Sequence, residues 1–203
     1  MIDLTKTDGI WTATINRPDK ANSLTRVMLA DLTQIATDAK NARGFVLTGN
    51  GKVFSAGADL DEARAGLATS PIWEELSTAV AALPCLTIAA LNGTLAGGAM
   101  GMALACDVRL SVSKAKFFYP VMKLGFLPQP SDPARMCALI GPARTKLVLM
   151  GGQKLTAETA FRFGLIDQIC PPEDLLSTAY EIGFDSASAD PSLAAKIKAM
   201  CSP

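Results

Sequence analysis

The sequence predicts an α/β fold organised as one domain, and three observations predict it. The N-terminal residues alternate as a hairpin and run on into strand, helix and strand, the pattern of a crossover between parallel strands. Two largely apolar strand runs, ending near Thr48 and Leu91, each lead into a glycine-rich turn and then a helix. The 203 residues, 49% of them hydrophobic, suffice for one sizeable core with at most a small appendage.

Ile2 to Thr7 and Ile10 to Asn16 alternate and meet at Asp8-Gly9, a two-residue hairpin turn. Ser23 or Thr25 can cap a following helix whose apolar positions are Val27, Met28, Leu32, Ile35 and Ala39. Gly44 to Thr48 reads as a strand buried on both faces. Small residues then crowd a turn from Gly49 to Gly57, leading to a helix over Asp59 to Arg64. Pro71 to Leu83 is a helix with proline at its start, and Pro84 stops it. The strand from Leu86 breaks at Asn92-Gly93, and a helix begins near Gly97. Two readings of Gly97, Gly98 and Gly101 stand side by side. They leave the first N–H groups of the helix bare for an anion or a polarised carbonyl, or they only let the helix pack tightly.

Downstream, Val108 to Val112 and Ala115 to Tyr119 read as strands, and Pro130 to Ile140 and Pro142 to Met150 as helices parted by Gly141. Thr156 caps a helix ending near Gly164, Leu165 to Cys170 is a strand, and a further helix runs to Ala189. Pro191 starts one last turn or two.

Composition excludes several functions. With 19 basic and 19 acidic residues and no histidine, the chain offers no broad cationic face for nucleic acid, no Ser-His-Asp triad and no histidine-ligated metal. Its 5 cysteines are scattered without a Cys-x-x-Cys pair, which indicates neither a zinc site nor a disulfide framework and fits a reducing cytoplasm. Leu76 to Cys106 is free of charge, but Pro84, Asn92 and the glycines interrupt it as a membrane span. Acid–base chemistry is left to carboxylates, lysine, tyrosine or water.

Five segments resemble the crotonase superfamily, the enoyl-CoA hydratase/isomerase family, in its order and spacing. They are Asn16 to Leu24, Leu47 to Leu60, Asn92 to Asp107, Lys123-Leu124-Gly125 and Leu165-Ile166-Asp167. The resemblance implies a crotonase-like spiral of β-β-α units, a core domain over residues 1–190 and a short C-terminal helical tail over 191–203, where the family continues through further helices. It implies an acyl-CoA thioester as substrate, with coenzyme A part of the substrate and no separate cofactor or metal. It further implies a homotrimer or other homo-oligomer, with neither nucleic acid nor membrane as partner.

By the same resemblance, the backbone N–H groups of Ala58 and Gly98 form an oxyanion hole for the thioester oxygen, and Gly97 lies beside them. Lys20, Ala21, Ser23, Ala56, Asp59 and Leu60 line the CoA pocket, Lys20 being either a phosphate partner or a solvated lysine. The chain departs from the family at its carboxylates. The two hydratase glutamates fall at Gly101 and Val121, and the single carboxylate of related isomerases falls at Gln129. None of these can move a proton as a carboxylate does. The nearest acid is Asp132, a candidate proton shuttle or a cap for its helix; Tyr119 offers a phenol or packs at a strand end. Isomerisation or decarboxylation is therefore expected over hydration, with an inactive acyl-CoA-binding or assembly protein as the alternative.

Overall fold

The computed structural model describes residues 1–201. β1 (Ile2–Thr7) and β2 (Ile10–Ile15) pair antiparallel, and the turn holds Asp8 and Gly9 at φ 51° and 80°, the left-handed pair that a two-residue hairpin of this twist requires. Thr25 caps α1 (Arg26–Asp38) by accepting the Met28 N–H at 3.2 Å. The buried face of α1 is Met28, Leu29, Leu32 and Ala36, while Val27 is 67% exposed. Met28, Leu32, Ile35 and Ala39 of the predicted stripe are buried or packed against the core, and Leu29 and Ala36 join them in place of Val27.

Three β-β-α units follow in the order expected of a crossover fold. They are β3 (Gly44–Gly49), β4 (Val53–Ser55) and α2 (Leu60–Arg64); then, after α3 (Ile72–Ala81), β5 (Leu86–Leu91), β6 (Thr94–Ala96) and α4 (Met100–Leu104); then β7 (Val108–Val112), β8 (Lys116–Phe118) and α5 (Val121–Leu124). The chain continues through α6 (Asp132–Leu149), β9 (Leu155–Thr156), α7 (Ala157–Phe163), β10 (Gln168–Cys170), α8 (Leu175–Ser188) and α9 (Pro191–Cys201).

Each unit gives one strand to each of two sheets. The larger sheet has the order β1-β2-β3-β5-β7-β10 and is parallel from β2 onward; the smaller has the order β4-β6-β8-β9. Phe45, Val46 and Leu47 are buried on the central strand, as its unbroken apolar run requires. β4, β6 and α5 are too short to leave a periodic signal in the sequence.

Two asparagines clip successive units together. Asn22 donates to the carbonyls of Asn50 and Val53, and Asn92 donates to that of Gly51 while accepting the Gly49 N–H. These bonds set the direction in which the chain leaves β3 towards the site. Elsewhere the predicted strand from Leu165 shortens to Gln168–Cys170, because buried Arg109 engages the residues before it. Its guanidinium donates to Leu165 O and to the Asp167 carboxylate, while the Asp167 N–H donates to Arg109 O. Gly141, at φ 77°, kinks α6 at the predicted break. α9 has 11 residues, about three turns, where the sequence suggests one or two. Among the described residues no helix is long and apolar enough to cross a membrane.

Candidate active site

Two loops approach one another at the exits of β4 and β6. Leu24 N–H donates to Gly57 O at 2.8 Å and Asp59 N–H donates to Leu24 O at 2.9 Å, so the 57–59 loop pairs with Leu24 as a parallel strand would. In such a ladder the residue between the two bonds turns its own N–H to the opposite side. That residue is Ala58, which lines a cavity of about 200 Å³. Gly98 reaches the same cavity from the single 3₁₀ turn Gly97–Ala99 that opens α4, where the first N–H groups have no partner within the helix.

Glycine makes this approach possible. Gly57 has φ +94°, and a Cβ there would stand 3.0 Å from Ala96 O and 3.5 Å from Gly97 Cα, so the two backbones lie in van der Waals contact. Gly98 has a separate reason to lack a side chain. Its Cβ would come within 3.1 to 3.3 Å of the Trp73 ring, which is fixed by an indole N–H bond to Leu67 O at 2.8 Å. The tight-packing reading of the glycine run holds at Gly98, and Gly97 and Gly98 also line the cavity.

The cavity wall is almost wholly apolar. Ala56, Leu60, Gly97 and Val121 lie in it beside Ala58 and Gly98, joined by Ala63, Ala68, Trp73, Phe118, Leu124, Phe126 and Leu127. Leu127 is 87% exposed at the mouth. Sequence reasoning missed Trp73 and the Leu124 to Leu127 stretch; an apolar run inside a non-periodic loop was the available signal. Polar lining comes from Gln129 and Tyr119, and no carboxylate lines the cavity among the described residues.

Asp132 neither lines the cavity nor caps its helix. It is the first residue of α6 after Ser131 at the N-cap position, and its side chain makes no capping bond. Instead it is fully buried behind Tyr119, whose hydroxyl donates to Asp132 Oδ2 at 2.9 Å. Burial pushes the Asp132 carboxyl up to about 6, against opposing help from the Tyr119 bond and Arg135. Asp132 Oδ1 has no hydrogen-bond partner among the described residues.

Lys20, Ala21, Ser23 and Asp59 also stand off the cavity lining. Ala21 O accepts the Ala56 N–H at 3.0 Å, so the 20–24 segment braces the Ala58 loop from behind, with Lys20 exposed beside it. Ser23 accepts from Arg17 at 3.3 Å. Asp59 caps α2 through the N–H groups of Asp61 and Glu62 and pairs with Arg17 at 2.8 Å. The Arg17 bond holds the Asp59 carboxyl below its usual range. A larger groove of about 480 Å³ runs between α8 and α9, lined by Leu86, Leu193 and Ile197, with neither loop in it.

A sequence profile for enoyl-CoA hydratase/isomerase matches residues 5–202. YngF of Bacillus subtilis, which bears an enoyl-CoA hydratase/isomerase name, is 35% identical over 187 residues, covering 87% of this chain and 72% of its own. The ethylmalonyl-CoA decarboxylase of Bos taurus is 30% identical over 183 residues, covering 85% of this chain and 60% of that protein. The crystal structure of an enoyl-CoA hydratase from Bacillus anthracis superposes with a TM-score of 0.89 at 31% identity, over 97% of this chain and 80% of that one. The chain has the crotonase fold and belongs to the enoyl-CoA hydratase/isomerase family.

Proposed function

We propose that the protein is an acyl-CoA enzyme of decarboxylating type, in which the N–H groups of Ala58 and Gly98 hold a thioester oxygen while carbon dioxide leaves the neighbouring carbon. One observation supports this reading above the others: the Ala58 and Gly98 loops meet at a cavity whose wall has no carboxylate among the described residues. Hydration needs carboxylates to activate water and return a proton. Decarboxylation of a malonyl-type thioester needs neither to begin. The C–C bond breaks, its electron pair enters the thioester, and negative charge arrives on the oxygen, where fixed donors stabilise it without reorganising. The apolar wall around Phe118, Val121 and Leu124 also disfavours the substrate carboxylate more than the neutral gas it becomes. Similarity to a protein named ethylmalonyl-CoA decarboxylase is in keeping with this choice.

The remainder of coenzyme A then runs past the Ala56–Leu60 loop, with Lys20 as partner for a phosphate and Ala21 and Ser23 behind it. No cofactor beyond the CoA ester is required. A homo-oligomer in the cytoplasm, a trimer first of all, completes the proposal, with light scattering as its check.

The test is a substrate panel. The protein is incubated with methylmalonyl-CoA, ethylmalonyl-CoA, a 3-enoyl-CoA and crotonyl-CoA, and products are followed by mass spectrometry. Carbon dioxide and a saturated acyl-CoA from the malonyl-type esters alone are expected. Hydration of crotonyl-CoA, or a shifted double bond in the 3-enoyl ester, overturns the assignment. Tight acyl-CoA binding without any product supports a binding protein instead, a reading that the missing carboxylate also favours.

A further inference from the structure

The pair formed by Tyr119 and Asp132 is left unused by an oxyanion hole. Tyr119 is 4% exposed, yet it forms part of the cavity wall. Its phenol oxygen has two protein neighbours, Asp132 Oδ2 at 2.9 Å and the Gln129 backbone N–H at 3.4 Å. Asp132 in turn lies over α4. A Cβ built on Gly101 would meet Asp132 Oδ1 at 2.7 Å, so a carboxyl from α6 fills the space that any side chain at residue 101 would need.

Resting on the decarboxylase reading for its substrate, we propose that Tyr119 is the catalytic residue that moves a proton at the carbon next to the thioester. Asp132 acts behind it as the positioning residue that aims the phenol and refills it. A phenol oxygen can donate one hydrogen bond and accept up to two. When Asp132 is ionised it can only accept, so the Tyr119 hydrogen points away from the cavity, towards the carboxylate. When Asp132 carries a proton it can donate instead. The phenol oxygen then accepts from both Asp132 and the Gln129 N–H, and its own hydrogen, released from the carboxylate, is free to serve the cavity that Tyr119 lines.

The step balances. Loss of carbon dioxide leaves an enolate held at the Ala58 and Gly98 amides; the Tyr119 O–H bond breaks as the C–H bond forms, and the Asp132 proton passes to the phenol oxygen. Asp132 then regains a proton from water, so each turnover takes up one proton. The titratable groups around Asp132 are few. Tyr119 adjoins it from beyond β8, Glu74 faces it from α3 and Arg135 from its own helix, while α4 presents only Gly101 among uncharged residues. Glu74 is itself engaged by the Ser131 N–H and hydroxyl. With Asp132 raised to about 6, the supply of protonated carboxyl falls as pH rises through that value.

The experiment uses the full chain with ethylmalonyl-CoA in D₂O. Wild type is expected to deliver butyryl-CoA with deuterium on one face of C2. Tyr119→Phe should release carbon dioxide but label both faces. Asp132→Asn should bind substrate normally yet lose the fall in rate centred near pH 6. Single-face labelling at an unchanged rate in Tyr119→Phe overturns the proposal. If wild type releases no carbon dioxide, the decarboxylase reading fails, and a second measurement judges the pair by itself: exchange of the C2 hydrogens of butyryl-CoA with D₂O, which needs no decarboxylation. Exchange in wild type that slows about 10²-fold or more in Tyr119→Phe supports the pair. Equal exchange in both proteins, or none in wild type, overturns it.

Discussion

The floor of the cavity and its wall are built by opposite means. The floor is backbone: Ala58 and Gly98 are presented by two loops whose positions follow from a parallel bridge at Leu24, the contact of Gly57 with Gly97 and the clips of Asn22 and Asn92. The wall is side chain: Tyr119, from beyond β8, is held from behind by Asp132 of α6, which lies over a glycine in α4. A backbone device tolerates change in almost every side chain around it. A side-chain device disappears with one substitution.

The contrast is broken most severely by deleting a floor donor. Gly98→Pro removes one N–H and should lower turnover about 10² to 10³-fold, measured as initial rates under saturating substrate. Gly98→Ala is the control, since its Cβ meets the same Trp73 ring at 3.1 Å but keeps the donor. A loss in proline well beyond that in alanine assigns the effect to the amide, and equal losses assign it to packing.

The wall is sharpened by pH. Because burial raises Asp132 from 3.8 to about 6, the folded chain binds that proton more tightly than the unfolded chain. Its stabilising effect is complete below about 4 and is lost as pH rises through about 6, a difference of about 3 kcal/mol. Urea unfolding at a series of pH values should show this decline in wild type, and Asp132→Asn should remove it. A smaller effect is expected at the floor's contact point. Gly57→Ala places a Cβ 3.0 Å from Ala96 O at a φ of +94°, and should lower stability by about 1 to 3 kcal/mol while separating the two amides. Smallest is Asp59→Ala, which removes the α2 cap and the Arg17 pair and should lower the thermal midpoint slightly.

The same contrast explains what could be read from the sequence. Hairpin, crossover units and glycine-rich loops are local, so alternation, apolar runs and turn residues located β1, β2, β3, β5 and the loops at Ala58 and Gly98. The wall depends on residues 13 to 31 positions apart, Tyr119, Asp132 and Gly101, and no periodicity joins them. Asp132 illustrates the difficulty. Ser131-Asp132-Pro133 has the composition of a helix start, but the carboxyl turns to a phenol instead of to its own backbone. Val27 failed for a related reason, since the face α1 buries is chosen by its neighbours.

The central claim is that two amides from separate loops hold one thioester oxygen. A crystal structure with butyryl-CoA bound tests it most directly. The account predicts the thioester oxygen within about 2.7 to 3.2 Å of both the Ala58 and the Gly98 nitrogen, with C2 of the acyl group facing Tyr119. A carbonyl oxygen bonded to neither amide, or an acyl group seated in the groove between α8 and α9, would contradict it.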